Sequence, residues 1–430
     1  MHLIDIIIFL LFTGGVVLFG CSFFNKKASS DEFTSAGRSL PGWVVGMSIF
    51  ATYVSSISYL GYPGKAFAGN WNAFVFSLSI PIASFFAAKY FVPFYRSQQS
   101  VSAYSFLEQR FGRWARVYAS SFYLLTQIAR MGSILYLLAL PMNELLGWDI
   151  QSIILVTTVA IVAYSMVGGI KAVIWTEAIQ GIILIGGALL CLVLLLFDMP
   201  EGPLQTFRIA WEDDKFSLGS FGASLSESTF WVCMIYGIFT NLQNYGIDQN
   251  YVQRYHTAKS MKEAKFSALF GGYLFIPVSA IFFLIGTGLY AFYKVNPGLL
   301  PEGMGADFVF PFFIVNELPV GMTGLLIASI FAAGMSTVAP VLLPGKSHGP
   351  KSLVGCSPWG RSESGTTEHA HTHMLPLNLI LCSKTNQENH FEWLSVYRLH
   401  TEERQTGFYA GQQQADRYAS LDSIHQLQDL

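Results

Sequence analysis

The sequence predicts an all-α polytopic membrane protein, and three observations support this fold class. Hydrophobic residues make up 52% of the 430 residues and charged residues only 12%, against about 25% charged in an ordinary soluble domain. The first 344 residues hold 18 basic and 18 acidic side chains. This part is therefore neutral, which argues against nucleic-acid binding. Nine mostly apolar stretches have the length, about 20 residues, that crosses a bilayer as a helix.

The nine stretches and the charges between them predict the topology. They are residues 3–23, 43–67, 72–95, 116–145, 151–168, 174–197, 229–252, 265–293 and 319–343. If the loops alternate and the first lies inside, the inner loops and their edges carry twelve basic residues and the outer loops four. Basic residues accumulate on the cytoplasmic side. We therefore expect an integral protein of the plasma membrane with its N-terminus outside and its C-terminal tail in the cytoplasm.

Two of these spans contain glycine and small polar residues at membrane depth. The second reads SSISYLGYPGK over residues 55–65, and the seventh reads TNLQNYGIDQN over residues 240–250. Unwound backbone at this depth must line a cavity, because an unpaired group in lipid costs several kcal/mol. Broken helices at corresponding places in two halves indicate a central binding site in an inverted-repeat transporter. Two kinked helices packed through small residues are the alternative interpretation.

Three motifs, in order along the chain, resemble those of the solute:sodium symporter family. They are YSMVGGIKAVIWTE at residues 164–177, DQNYVQR at 248–254, and LPVG at 318–321 leading into AAGMST at 332–337. The resemblance covers about residues 30–338. It implies a LeuT-like fold, in which two inverted five-helix repeats follow one extra helix. It also implies sodium-coupled symport of a small organic solute, namely a sugar, a polyol or a carboxylate such as sialic acid.

The resemblance further implies a sodium site made of oxygen atoms. The family pattern places backbone carbonyls at Ala51, Val54 and Ala333 and hydroxyls at Ser336 and Thr337. Such oxygens suit Na⁺ because it is a hard cation. Alternatively, either hydroxyl alone bonds the carbonyl four residues earlier in its own helix. Na⁺ is the co-transported ion in this interpretation, and no other cofactor is expected.

The family's sugar-binding positions give a candidate substrate site on two helices. It comprises Tyr53 and Ser58 on the first core helix and Asn241 and Asn244 on the sixth, and Ser55 and Ser56 offer further small hydroxyls beside Ser58. Asn241 matches the amide of the family. Asn244 stands where sugar transporters carry an aromatic gate, which puts sugar specificity in doubt. Hydrogen bonds between packed helices are the alternative role for these polar side chains.

Arg130 is a charged residue inside an apolar helix, with no acidic residue within one helical turn. A charge at the bilayer centre costs about 2.5–3.5 kcal/mol on insertion scales, so such a residue usually faces a cavity and has a partner. A substrate carboxylate fits its guanidinium fork. The sialic acid branch of the family carries an arginine on this helix in that role. Helix-end carbonyls or lipid headgroups are the alternative partners.

Two further acidic positions are candidates for roles near the site. Glu177 matches an acidic family position near the inner cavity, where it could assist sodium exit, or it is a helix N-terminal acid stabilised by the helix dipole. Asp248 and Arg254 could form a gate pair, or be ordinary charges at a helix end.

The chain changes character after Val338. Residues 1–338 are interpreted as the symporter domain, residues 339–344 as the end of the last helix and a junction, and residues 345–430 as a non-homologous, disordered tail. The segment SLVGCSPWGRSESGTTEH at 352–369 resembles a translated short interspersed retroelement. We therefore expect that this chain lacks the last helices of the second repeat and that it transports poorly.

The sequence lacks the motifs of several other functional classes. The five cysteines have no disulfide or zinc spacing, and the sequence contains no P-loop or nucleophile elbow. An enzyme is therefore not expected. A non-transporting truncated isoform, or a transporter-like sensor, is the alternative function. The expected partners are Na⁺, a small organic solute and the lipid bilayer, with no nucleic acid.

Overall fold

The computed structural model describes residues 2–24, 30–98 and 102–342. Within these ranges the regular elements are helical, with one isolated β-bridge between Leu40 and Ala258. The chain divides into two units after Pro358, and every described residue lies in the first. The predicted tail and residues 343–344 of the junction lie outside the described residues, and so do the side chains of Ser56 and Thr337.

The described residues form fifteen α-helices, and each of the nine predicted stretches falls on them. The helices are α1 (Leu3–Cys21), α2 (Ser30–Ser35), α3 (Gly42–Tyr53), α4 (Ser56–Ala68), α5 (Phe74–Phe86), α6 (Val92–Ser97), α7 (Ser105–Phe111), α8 (Arg113–Leu146), α9 (Ile150–Phe197), α10 (Pro203–Glu212), α11 (Phe230–Ile247), α12 (Gln249–Thr257), α13 (Met261–Val295), α14 (Ala306–Asn316) and α15 (Met322–Leu342). A π-helical turn, Ala87–Phe91, joins α5 to α6.

Four helical segments in the described ranges are both long and apolar enough to cross a membrane: Leu3–Cys21, Trp71–Ser97, Ser165–Phe197 and Met261–Val295. The bent pair α3 and α4 makes a fifth when it is counted as one span. The remaining predicted spans lie on α8, the first part of α9, α11 and α15. Their apolar runs are shorter or carry more polar side chains. Large apolar side chains on three of them are nevertheless exposed, among them Leu125 on α8, Val156 on α9 and Phe239 on α11, which suits helices that face lipid on one side.

The fifth and sixth predicted spans are joined into one helical element, α9, with a sharp kink at Gly169. This residue has φ 64° and ψ −162°, a backbone conformation essentially reserved for glycine. A Cβ atom here would lie 3.0 Å from the Phe33 carbonyl oxygen. The sequence prediction of a loop between residues 168 and 174 was therefore wrong in extent, because a single glycine is enough to redirect the helix.

The first broken span separates at Val54 and Ser55, whose backbone is extended. The two helical segments on either side differ in direction by 54°. The prediction of an interruption over residues 55–65 was too long. The chain returns to helix at once because the Ser55 hydroxyl accepts a hydrogen bond from the Ser58 N–H, at 3.3 Å, and so caps α4.

The second broken span separates at Asp248, between α11 and α12. The helix continues to Ile247, so the interruption predicted over residues 240–250 is confined to its C-terminal end. Asp248 is extended, and its carboxylate accepts a hydrogen bond of 2.8 Å from the Asn250 N–H. This contact caps α12 and lets the chain restart as helix after one residue.

The centre of the bundle is formed by α3, α9, α13 and α15. At one crossing of α3 with α13, a Cβ atom on Gly271 would lie 2.8 Å from the Gly46 carbonyl oxygen, so two glycines allow the close approach. The Trp43 and Trp175 rings meet edge to face at 5.9 Å. Further along both helices, Ser48 of α3 bonds Glu177 of α9. The α3 helix and the second part of α9 therefore run side by side in the same direction.

The first helix, α1, is fastened to the beginning of α15 by a buried carboxylate. Asp5 is 2% exposed, and one of its oxygens accepts hydrogen bonds from the Gly321 N–H at 2.7 Å and the Gly324 N–H at 3.0 Å. The first N–H groups of a helix have no partner within the helix. Asp5 therefore caps α15 from a neighbouring helix.

Candidate functional site

Ser336 joins the middle of α15 to the break in the first broken span. Its hydroxyl lies 3.3 Å from the Ala51 carbonyl oxygen and 3.0 Å from the Ala333 carbonyl oxygen. All three residues are buried. Ser336 and Ala51 are 285 positions apart in the chain. The structure thus brings together three of the five predicted sodium ligands.

The other two predicted ligands are placed less completely. Val54 is buried, and its extended backbone directs its carbonyl away from the helical path of α3. Thr337 continues α15 directly after Ser336, but its side chain lies outside the described residues.

The local backbone explains why oxygen atoms are available here. The last carbonyls of a helix have no partner in the next turn, and α3 ends two residues after Ala51. Ser336 bonds the carbonyl three residues earlier in its own helix, as helical serines commonly do, and it also reaches a second helix. A set of neutral, buried oxygens from two helices suits a partly dehydrated Na⁺ ion.

Tyr53 lies at the end of α3 inside a cluster of aromatic rings. Its ring is 5.1 Å from that of Tyr251, 5.5 Å from that of Phe275 and 5.6 Å from that of Tyr245. Its hydroxyl is buried without a hydrogen bond of ordinary geometry, and it lies beside the side chain of Asn244. Two predicted substrate residues from different helices are thus neighbours.

Ser55 and Ser58, at the first helix break, help to start helix α4. The Ser55 and Ser58 hydroxyls lie 3.3 Å apart, and Ser55 caps α4. Ser56 is the first residue of α4, and its side chain lies outside the described residues. The Ser55 hydroxyl is therefore used to bond the backbone of α4. The Ser58 hydroxyl lies near the Tyr62 hydroxyl.

Asn241 is fully buried on α11, and its amide nitrogen donates a hydrogen bond of 2.9 Å to the Ser79 hydroxyl. Its amide oxygen is buried without a hydrogen-bond partner, and the hydroxyl of Ser77 on α5 lies beside the Tyr62 hydroxyl. Ser77 and Ser79 were missed by sequence reasoning. The signal for them was two serines spaced by two within the apolar helix α5. A buried amide oxygen without a partner is costly and marks a place where a polar ligand can bind.

Arg130 has a protein partner that its helix does not reveal. Its guanidinium lies 3.7 Å from the Asp248 carboxylate, at the second helix break. No acidic residue lies within one helical turn of Arg130 on its own helix, and this acid comes from a distant part of the chain. The Arg130 side chain is 38% exposed and that of Asp248 12%, so the arginine lies at the edge of the protein interior.

Arg254 pairs with Glu177 rather than with Asp248. Its guanidinium donates two hydrogen bonds of 2.7 Å to the Glu177 carboxylate, and neither side chain is exposed. Ser48 accepts from Arg254 at 2.6 Å and donates to Glu177, and the Asn250 carbonyl accepts another bond from Arg254 at 2.6 Å. The predicted gate pair between Asp248 and Arg254 is therefore wrong. Each of its members binds a different partner.

Glu177 also does not lie in the first turn of a helix. It is eight residues beyond the kink at Gly169, within the second part of α9, so the helix dipole does not account for it. Its partner Ser48 was not predicted. One turn of α3 separates Ser48 from the sodium-site carbonyl of Ala51. The buried ion pair is thus a neighbour of the candidate sodium site.

The comparisons with known proteins agree with this geometry. The family model "Sodium:solute symporter family" matches residues 33–348. The chain belongs to the sodium:solute symporter family. A solved structure of a Na⁺-coupled sialic acid symporter, in a substrate-bound outward-open state, matches this symporter chain with a TM-score of 0.80 and 32% identity. The match covers 84% of this chain and 77% of that one, and it confirms the LeuT-like helical fold.

Curated relatives within the family are similar over most of the chain. The sodium/sialic acid symporter SiaT of Proteus mirabilis is 35% identical over 333 residues, which cover 77% of this chain and 67% of that protein. The sodium-coupled monocarboxylate transporter 2 of Mus musculus is 29% identical over 73% of this chain and 51% of its own length. The chain thus spans about two thirds of the bacterial relative and half of the mouse relative. These relatives are transporters and not enzymes.

Proposed function

We propose that this chain binds Na⁺ between α3 and α15 and couples its movement to the uptake of a small organic anion. The observation that supports the ion site is the contact of Ser336 with the carbonyls of Ala51 and Ala333. Val54 and Thr337 complete the proposed ligand set, because Thr337 directly follows Ser336 on α15 and Val54 lies three residues after Ala51, at the break after α3.

The proposed substrate site lies beside the sodium site. It is lined by Tyr53, Ser58, Asn241 and Asn244, with Ser77 added from the structure. The unpartnered buried amide oxygen of Asn241, with the hydroxyls of Ser58 and Ser77, favours a ligand with several hydroxyl or amide groups. Arg130 supplies the only charge in the proposed set, which favours an anionic solute.

The relatives support an anionic solute by their printed names. They include symporters of sialic acid, transporters of monocarboxylates and a sodium/iodide cotransporter. Sialic acid combines a carboxylate with many hydroxyls and an amide. It is the solute class that best fits both the arginine and the polar groups on α5 and α11.

The proposed coupling needs no covalent chemistry. Na⁺ entry adds about 2.3 kcal/mol per 100 mV of membrane potential to its concentration gradient. A solute and an ion bound at the breaks of two discontinuous spans stabilise one arrangement of the two repeats, which then rock around the site. The charge asymmetry of the loops supports an orientation with the N-terminus outside and the tail in the cytoplasm. The proposed location is the plasma membrane.

Glu177 is proposed to act at the inner end of this route. Its carboxylate is shared by Arg254 and Ser48, so it can receive a departing Na⁺ ion only when the pair opens. Glu177→Asp keeps the charge but shortens the side chain by one methylene, so the carboxylate no longer reaches the departing ion. We expect slower sodium release with nearly unchanged sodium affinity. An unchanged release rate contradicts this role.

The function is tested with the purified chain reconstituted in liposomes. Uptake of radiolabelled sialic acid, lactate and glucose is measured with an inward Na⁺ gradient and with K⁺ in its place. We expect Na⁺-dependent binding of the two carboxylates with only weak accumulation, and little binding of glucose. Equal signals in Na⁺ and K⁺ contradict sodium coupling, and preference for glucose contradicts the anionic substrate.

A further inference from the structure

Asp248 occupies the break of the second broken span and uses its two oxygens differently. One oxygen accepts hydrogen bonds from the Asn250 N–H at 2.8 Å and the Tyr123 hydroxyl at 3.2 Å. The other oxygen faces the Arg130 guanidinium at 3.7 Å. The carboxylate is thus held firmly on one side and only by charge on the other.

Arg254 and Arg130 differ in how tightly each is bound by its acidic partner. Arg254 is bound by two hydrogen bonds of 2.7 Å to Glu177 and is fully buried. Arg130 is 38% exposed, and 3.7 Å exceeds the range of a hydrogen bond. Within the described residues, the pair with Asp248 is the polar contact made by Arg130. Its planar fork is therefore free to form a two-point contact with another carboxylate.

We propose that Asp248 is an internal counter-ion that an anionic solute displaces from Arg130. The proposal rests on the proposed function of Arg130 as the anion-binding residue. It assigns Asp248 a role in specificity: a neutral solute leaves the pair in place, whereas a carboxylate must compete with Asp248 for the arginine.

The geometry around Asp248 makes this exchange possible. When Arg130 turns to a solute, Asp248 keeps the hydrogen bonds from Asn250 and Tyr123. A buried carboxylate left with no partner would be strongly unfavourable, but this one retains two donors. Because Asp248 also caps α12, the exchange changes the charge at the break between α11 and α12 when the solute binds.

The test replaces the charge and keeps the cap. Asp248→Asn preserves an N-cap acceptor, since Asn and Asp cap helices about equally well. Dissociation constants are measured on the purified full chain in Na⁺ for N-acetylneuraminic acid and for its neutral methyl ester. We expect Asp248→Asn to tighten binding of the acid at least about fivefold, the lower end of usual coupling between sites, and to leave the ester unchanged.

Controls separate this effect from folding. Asp149→Asn makes the same chemical change at the exposed N-cap of α9, and it should alter neither constant. Asp248→Ser, a second neutral capping residue, should reproduce the gain if Asp248→Asn folds poorly. Unchanged or weaker binding of the acid in a variant that melts at the wild-type temperature overturns the proposal.

A second variant distinguishes failure of this proposal from failure of the proposed function. Arg130→Gln should abolish the preference for acid over ester, and Asp248→Asn should then have no further effect. If Arg130→Gln leaves acid binding intact, the assignment of Arg130 as the anion-binding residue fails. If Arg130→Gln weakens the acid but Asp248→Asn does not strengthen it, only the counter-ion role fails.

Discussion

Arg254 and Glu177 form an ion pair in which one guanidinium nitrogen donates hydrogen bonds of 2.7 Å to both carboxylate oxygens, and neither side chain reaches solvent. The pair connects α12 to the second part of α9, and Ser48 of α3 bonds to both partners. It therefore ties together the helix after the second break and the helix before the first.

Removing one partner of this pair should strongly destabilise the protein. Glu177→Gln leaves Arg254 buried without a compensating charge, which costs about 3–5 kcal/mol. We expect a large fall in the midpoint of thermal unfolding in detergent. Glu201→Gln is the matched control, because its pair with Arg208 is 59% exposed on both sides and such pairs contribute less than about 1 kcal/mol. Equal melting of the two variants would show that the buried pair is not structural.

The kink at Gly169 should tolerate no side chain. Gly169→Ala forces a Cβ into a conformation that costs about 1–3 kcal/mol and places it 3.0 Å from the Phe33 carbonyl. We expect lower yield and a lower unfolding midpoint. Gly186→Ala, in the same helix with no atom within 4 Å of the added Cβ, should be neutral or slightly stabilising. A wild-type midpoint for Gly169→Ala argues against the kink.

The cap of α15 by Asp5 should control the order of the first turn of that helix. Asp5→Ala removes the two hydrogen bonds that the Asp5 carboxylate accepts. A hydrogen bond to a charged group contributes about 1.5–3 kcal/mol. We expect faster amide exchange at Gly321 and Gly324 by hydrogen–deuterium exchange. Asp5→Asn keeps an acceptor and should exchange at an intermediate rate. Exchange that is unchanged in Asp5→Ala means that α1 does not hold α15.

The sequence was sufficient to predict the long apolar helices, because apolar length is a local property, whereas shorter helices between them, such as α10 and α14, were not predicted. It also placed Ser336 and Ala51 in one site, through motifs that lie far apart in the chain. Neither prediction required knowledge of side-chain orientation. Break lengths were overestimated, since Ser55 and Asp248 restart their helices within one or two residues by capping.

The ion pairs could not be predicted in the same way. Arg130 and Asp248 belong to different helices, and which acid faces which arginine depends on the rotation of each helix about its axis. The rotation of α9 is in turn altered by the kink at Gly169. From sequence alone, Glu177 therefore fits a helix start as well as a sodium-exit position, and Arg254 fits a pair with Asp248, the acid nearest to it in sequence.

The central claim is that Ser336 contributes to a sodium site between α3 and α15. The most direct measurement is equilibrium binding of ²²Na⁺ to the purified chain, comparing Ser336→Ala with Ser329→Ala. Ser329 is a buried hydroxyl on the same helix that bonds the Leu325 carbonyl at 3.0 Å. We predict that Ser336→Ala weakens Na⁺ binding at least about tenfold, while Ser329→Ala binds like the wild type. Wild-type Na⁺ affinity in a folded Ser336→Ala variant would contradict the account.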